Sequence, residues 1–330
     1  MRRRRQHHTP TELLGVPLLI GGALLSAEVG RRLFRRAQLF CPSPDPLKSW
    51  DPADYGIPDG AVEEHWIETP DGETLHAWYC RAKHPIASSV FCHGNTGNLT
   101  TSADVIPHLL NTGFSTLWFD YRGFGKSSGH ASFSGVVADG LTASKFHDKI
   151  RPKRVPNILY GYSLGGAVAA QVIRRHPYDG LILQSTFTNL PDLSRVFWKR
   201  FPMHYFAGTD VFNTIDVIRK LQVPLLILHG VEDETCPCWM AHKIYEACPA
   251  PKRIYTLEGG KHKTCFIVDP DAMTWAISQF IADLPHTTRT QSVEETPHIE
   301  EWTNSALKTM RHWIRGRRAE DGGRKIRSAW

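Results

Sequence analysis

Between Asn157 and Arg174 the chain reads NILYGYSLGGAVAAQVIR, and few folds accept such a stretch. An apolar run, Ile158 to Tyr160, enters a tight Gly-Tyr-Ser-Leu-Gly-Gly turn, and small residues with helical periodicity, Ala167 to Ile173, follow at once. The order is strand, elbow, helix. Gly161 and Gly165 remove side chains that would collide in so sharp a turn, so Ser163 is expected there with its hydroxyl exposed at the C-terminal edge of a sheet. The Leu164 N–H, at the helix start, would then face an oxygen on the carbon that Ser163 attacks. A GxSxG pentad alone arises by chance in roughly one such chain in ten, and would then be a glycine turn with a solvated serine. Its context has to carry the weight.

That context is a chain of strands alternating with helices. Two strand signals, Val62 to Glu68 and Thr74 to Arg81, flank the Pro70-Asp71-Gly72 turn and predict an antiparallel hairpin. Beyond it come strand candidates at Ser88–Cys92, Ser115–Phe119, Asn157–Tyr160, Gly180–Gln184, Pro224–His229 and Lys252–Leu257, with helical stretches such as Ala103–Asn111, Gly135–Ile150, Cys238–Ala247 and Asp271–Ala282 between and after them. This is the pattern of an α/β protein with a mostly parallel, doubly wound sheet. The interval from Ser185 to Gln222 is too long for one connection and holds Phe197, Trp198, Phe201, Tyr205 and Phe206. It reads either as a short cap over the sheet edge or as a surface helix packed by its aromatics.

A serine hydroxyl needs a base, an acid to orient that base, and donors for an oxyanion, all converging on the C-terminal ends of the strands. Downstream of Ser163, the strand ending at His229 runs into HGVEDETCP, where Glu232, Asp233 and Glu234 are rival acids. His262 lies in the loop EGGKHKTC after the last strand and is the expected base. The strand Ser88–Cys92 ends in HGNTGN, whose free backbone N–H groups make Asn95 the second oxyanion donor beside Leu164. No Lys-Ser/Thr follows at phosphate-loop spacing, and DYRGFGKSSG (120–129) lacks a full dinucleotide fingerprint. Tyr121 and Arg122 are expected to pack or hydrogen-bond beneath the site. Seven scattered cysteines do not form a disulfide framework, and Cys236-Pro-Cys238 has no second pair at zinc spacing. The expectation is a site with no cofactor and no metal.

Charge is unevenly placed along the 330 residues. Residues 1–36 hold eight Arg against two Glu, and residues 303–330 hold eight Lys or Arg against one Glu and one Asp, so basic ends enclose an acidic body. That disfavours nucleic acid as a partner and suits an anionic membrane surface. The uncharged stretch Leu13 to Ala27 falls between a signal-peptide core and a full span; an uncleaved membrane anchor is favoured over a removed signal or an interfacial helix, with the side of the membrane open. Near the other end, Ile299, Trp302, Leu307, Met310, Trp313 and Ile314 recur at helical steps among Lys and Arg. This basic amphipathic helix would dock on the domain or lie on a membrane. The expected organisation is a basic anchor segment (1–40), an extended linker (41–60), the α/β domain (61–285, cap 185–222) and a basic extension (286–330).

Taken together and in order, HGNTGN, DYRGFGKSSG, GYSLGG, HGVEDETCP and GGKH resemble the Bem46 branch of the α/β-hydrolase superfamily, which includes membrane-anchored serine hydrolases of the ABHD13 type. The likeness spans about residues 60 to 285. It implies an α/β-hydrolase fold and a Ser-Asp-His triad made by Ser163, Asp233 and His262, and it is what prefers Asp233 over its two neighbours. It also implies hydrolysis of carboxylic esters or thioesters through an acyl-enzyme, with small acyl molecules, including lipids, as substrates. A serine peptidase on the same scaffold, and an idle protein tethered at a membrane, are the alternatives. Cys236 and Lys263 depart from the branch's usual Val and Asn, which bears on substrate preference.

Overall fold

The structure is a computed structural model and describes residues 39–197 and 212–284. The apolar N-terminal stretch, the basic C-terminal helix and the aromatics Trp198, Phe201, Tyr205 and Phe206 lie outside the described residues. No described helix is long and apolar enough to cross a membrane.

An eight-stranded sheet organises the domain. Its strands are β2 (Val62–Glu68), β3 (Thr74–Cys80), β4 (Ala87–Cys92), β6 (Phe114–Phe119), β7 (Asn157–Tyr162), β8 (Gly180–Gln184), β9 (Leu225–Gly230) and β10 (Lys252–Leu257), while β1 (Cys41–Pro42) and β5 (Thr96–Gly97) pair separately in parallel. The order across the sheet is β10-β9-β8-β7-β4-β6-β3-β2. β2 and β3 form the antiparallel hairpin, β3 meets β6 antiparallel, and the other pairings are parallel. This is the α/β-hydrolase arrangement, and the six parallel strands fall close to the stretches the apolar runs predict.

Helices cover both faces, which is why the parallel strands read as continuous apolar runs rather than alternating ones. One face carries Val90, Leu117, Leu159 and Leu181 against α2 (Phe133–Ile150), α3 (Leu164–Ile173) and α6 (Trp239–Ala247). The other carries Phe91, Trp118, Tyr160 and Ile182 against α1 (Ile106–Asn111), the short α7 (Cys265–Val268) and α8 (Pro270–Ala282). The helix starts have chemical causes: Ser132 caps α2 by accepting the Gly135 N–H, and Asp269 caps α8 by accepting that of Ala272, with Pro270 in the first turn. The stretch read as one helix from Ala103 begins instead as a 3₁₀ helix at Leu99–Val105, capped by Asn98, before continuing as α1.

One further feature departs from expectation. The segment 41–60, read as an extended linker, is packed on the domain: Tyr55 and Ile57 are buried, a 3₁₀ turn spans Pro52–Tyr55, and the Asn98 side chain donates to the carbonyls of Ser43 and Asp45. Burial of the aromatic and aliphatic side chains outweighs the Pro- and Asp-rich composition that suggested a free linker. Of the interval 185–222, the described part packs on the domain. Leu190 and Leu193 of α4 (Leu190–Phe197) are buried, and α5 (Thr214–Ile218) seats Val217 and Ile218 in the core.

The sheet topology selects a place for chemistry. From β4 the chain moves outward to β6, then returns to β7 on the other side of β4. Loops leaving β4 and β7 at their C-terminal ends therefore diverge, and the crevice between them is where α/β sheets receive ligands.

Candidate active site

Ser163 stands at the end of β7 as the residue before α3. Its backbone, at φ 54° and ψ −119°, lies in a region that an ordinary side chain adopts only under strain. The turn is over-determined. Ser163 N–H donates to the Gln184 carbonyl at 2.9 Å, and its own carbonyl accepts from Thr186 Oγ1 at 2.7 Å and from Gly166 N–H at 3.0 Å. Gly165 is required by close approach, since a Cβ there would sit 1.8 Å from the Cys92 carbonyl oxygen. That contact brings the start of α3 against the end of β4, and Gly94 in the loop that follows β4 lies against Tyr162 and Ser163.

His262 and Asp233 arrive from the loops after β10 and β9. Ser163 Oγ lies 2.9 Å from His262 Nε2, and His262 Nδ1 lies 2.8 Å from Asp233 Oδ2. Three residues spread over a hundred positions thus form one hydrogen-bonded chain. Asp233 is 4 % exposed, and its Oδ1 accepts the N–H groups of Thr235 and Cys236 at 2.9 and 2.8 Å, whereas its rivals Glu232 and Glu234 are exposed. A carboxylate holding two backbone donors is oriented as well as charged, so its second oxygen is committed to the imidazole. The two loops are also tied together. Glu232 N–H donates to the Gly260 carbonyl at 2.9 Å, and Gly230 passes so close to Gly260 that a Cβ would meet its carbonyl oxygen at 2.2 Å.

Asn95 lines the cavity beside Ser163 and Leu164 follows Ser163 as the first residue of α3, and among the described residues no acceptor takes either backbone N–H. The Asn95 carbonyl is held from the other side by the Cys41 N–H at 2.8 Å, which gives the packed 41–60 segment a role at the site. A cavity of about 430 Å³ opens over Ser163 and His262, with Phe91, Val105, Phe266, Ile267 and Pro270 as its apolar wall. Lys263 reaches its rim, with Nζ 3.5 Å from Thr96 Oγ1. Cys236 is buried next to the Asp233 loop. Among the described residues no cluster of three His, Cys, Asp or Glu side chains suits a metal ion.

Tyr121 and Arg122 are both buried and hydrogen-bonded, but only Tyr121 touches a loop of the site. Tyr121 donates its hydroxyl to the His93 carbonyl at 3.2 Å, while Arg122 bridges Asp139 of α2 and Asp71 of the hairpin turn.

Sequence reasoning missed two supports. His229, buried at the end of β9, donates Nε2–H to the Cys236 carbonyl at 2.6 Å and so shapes the Asp233 loop. Tyr162 donates its hydroxyl to the His262 carbonyl at 3.1 Å, fixing that loop from the strand next to Ser163. A signal existed for the first: His-Gly closes both β4 and β9, at His93-Gly94 and His229-Gly230.

Comparisons with known proteins agree with this architecture. A sequence profile of a family described as serine aminopeptidase, S33, matches residues 83–215, the part of the chain that holds Asn95, Ser163 and Leu164. An uncharacterized protein of Mycobacterium tuberculosis is 29 % identical over 256 residues, covering 76 % of this chain and 88 % of the relative. The lysophosphatidylserine lipase ABHD12 of Danio rerio is 31 % identical over 238 residues, covering 64 % of this chain and 58 % of the relative. Among solved structures, an esterase of Pyrococcus furiosus superimposes with a TM-score of 0.62 at 19 % identity, over 74 % of this chain and 98 % of that one. An esterase of Exiguobacterium antarcticum gives 0.53 at 17 % identity, over 67 % and 100 %. At such identities the structural likeness is one of fold.

Proposed function

We propose that the chain is a hydrolase of the α/β-hydrolase superfamily that cleaves carboxylic esters or thioesters of apolar acyl groups through an acyl-enzyme on Ser163. The observation that carries this reading is the hydrogen-bonded chain from Ser163 Oγ through His262 to Asp233, at 2.9 and 2.8 Å. Ser163 Oγ attacks the acyl carbon as its proton passes to His262 Nε2. Asp233 holds the Nδ1–H and stabilises the imidazolium. The carbonyl oxygen becomes an oxyanion between the N–H groups of Asn95 and Leu164. The bond to the leaving oxygen or sulfur then breaks, and His262 returns the proton to it. Water, deprotonated by the same imidazole, cleaves the acyl-Ser163 bond and restores the enzyme.

The apolar wall of the cavity supports an acyl chain as the bound group, and the name of the zebrafish relative, a lysophosphatidylserine lipase, points the same way. The Bem46 branch remains our placement within the superfamily. We also assign membrane association to the apolar N-terminal segment as an uncleaved anchor, with the basic C-terminal helix as a second contact; a carbonate wash tests the anchor, and complete release from membranes speaks against it.

A fluorophosphonate probe tests the chemistry, since it labels a serine only when base and oxyanion donors are in place. The full-length protein should label, and Ser163→Ala should not. An unlabelled wild type, or equal labelling of the variant, removes the proposal. The serine aminopeptidase description of the matching family favours one second reading, a peptidase using the same residues. Acyl esters of graded chain length run beside aminoacyl anilides decide between them.

A further inference from the structure

His93 takes no part in the steps above, yet its imidazole is 2 % exposed and stands at the root of the loop that carries Asn95. Its Nδ1 lies 2.8 Å from the Gly94 carbonyl oxygen. A carbonyl only accepts, so this nitrogen carries the hydrogen. Burial pushes the His93 pKa down against the pull of Asp120, so the neutral ring has a single N–H, and that one is committed to Gly94. The Gly94 carbonyl and the Asn95 N–H belong to one planar trans peptide, in which the two bonds point in opposite directions. Whatever fixes the carbonyl fixes the N–H.

We propose that His93 is a positioning residue for acyl transfer: by donating Nδ1–H to the Gly94 carbonyl, it turns the Gly94–Asn95 peptide so that the Asn95 N–H faces the oxyanion formed at Ser163. This inference rests on the reading of Ser163 as the nucleophile. Glycine at position 94 leaves the peptide free to rotate, and a rotated peptide would offer the developing anion a carbonyl oxygen, which repels it, in place of a donor. The surroundings hold the ring against such a change. It packs on Tyr121 and Phe124, with centroids 4.4 and 5.2 Å away, and the Tyr121 hydroxyl takes the His93 carbonyl. Behind it, Nε2 has no hydrogen-bond partner and only faces Oδ1 of buried Asp120 at 3.5 Å, so the packing of the rings, and not this contact, fixes the imidazole. The ring therefore has one orientation and delivers its hydrogen to one acceptor.

Two variants separate the two ring nitrogens. Asn at position 93 presents an amide N–H where Nδ1 stands and keeps the bond to Gly94; Gln reaches the Nε2 position and loses it. The readout is the rate of fluorophosphonate labelling of the full-length chain, resolved into the maximal inactivation rate and the concentration for half-maximal rate. For His93→Gln the maximal rate should fall ~10- to 100-fold, a part of the loss that follows complete removal of one oxyanion donor, with the half-maximal concentration unchanged. His93→Asn should stay within a few-fold of wild type. Equal rates in the two variants, or a change in the half-maximal concentration alone, overturn the inference. Should either variant fail to fold, long-range ¹H–¹⁵N spectra of the histidine-labelled wild type decide it: a His93 proton on Nδ1 is expected, and one on Nε2 alone refutes it. Labelling that survives Ser163→Ala removes the reading of the site and this inference with it. Labelling lost in Ser163→Ala but undiminished in His93→Gln removes the positioning role alone.

Discussion

Glu232, Asp233 and Glu234 are adjacent acids of similar chemistry, and what separates them is which one the loop turns inward. Asp233 is buried with its two oxygens divided between backbone donors and His262 Nδ1. Its neighbours face solvent. Replacing Asp233 with Asn removes the charge and allows the amide to hold His262 in the wrong tautomer, so the rate of ester hydrolysis should fall about 10⁴-fold. Glu232→Gln and Glu234→Gln should stay within a few-fold of wild type. Comparable losses in all three would show that the acidity of the loop matters and its inward carboxylate does not. At Gly165 the constraint is steric. Gly165→Ala would drive a methyl carbon to 1.8 Å from the Cys92 carbonyl, which backbone cannot relieve without separating α3 from β4. Labelling by fluorophosphonate should be lost even where the circular-dichroism spectrum keeps its α/β character.

Among the elements, the hairpin of β2 and β3 is held to the rest of the domain by a charged bridge. Arg122 reaches Asp139 on α2 with three contacts between 2.8 and 3.1 Å and Asp71 in the hairpin turn with two more. Asp139 is 0 % exposed, so removing the guanidinium strands a buried carboxylate. Arg122→Leu should destabilise the domain by ~3–5 kcal/mol in urea unfolding, while the double replacement Arg122→Leu with Asp139→Leu should recover most of that loss. The segment 41–60 shows the same dependence on partners. Local composition there describes a loose chain, and its fixed course comes from Tyr55, Ile57 and the Asn98 amide, which belong to or meet other parts of the molecule.

For the molecule as a whole, three buried histidines set the response to acid. His147, bonded through Nε2 to Ser88 Oγ at 2.8 Å, is held down to a pKa of about 3 by burial first and by Arg151 and Lys153 nearby; His93 and His229 are lowered by burial as well. In the unfolded chain each titrates near about 6.5. Above that pH both states carry neutral rings and nothing is gained or lost. Below it the unfolded chain binds protons that the fold refuses, so for His147 stability falls as pH drops from about 6.5 toward about 3, at roughly 1.4 kcal/mol per pH unit, and His93 and His229 act in the same direction below about 6.5. Urea titrations at pH 7, 6 and 5 should show this loss, and His147→Gln should reduce the slope by one proton's worth. An unchanged slope would mean that His147 is protonated in the fold.

Much of this was legible before any coordinates, and for a local reason. Strand, elbow and helix around Ser163 follow from apolar and small residues next to one another in the chain, and the strands from Ala87 to Leu257 follow from runs long enough to be covered on both faces. The turn chemistry of Gly161 to Gly166 likewise depends on near neighbours alone. Only the tertiary structure decided which acid meets His262 and that the 41–60 segment lies against Asn95. Those outcomes depend on contacts between residues dozens to a hundred positions apart, where the position of one backbone sets the burial, partner and direction of another side chain.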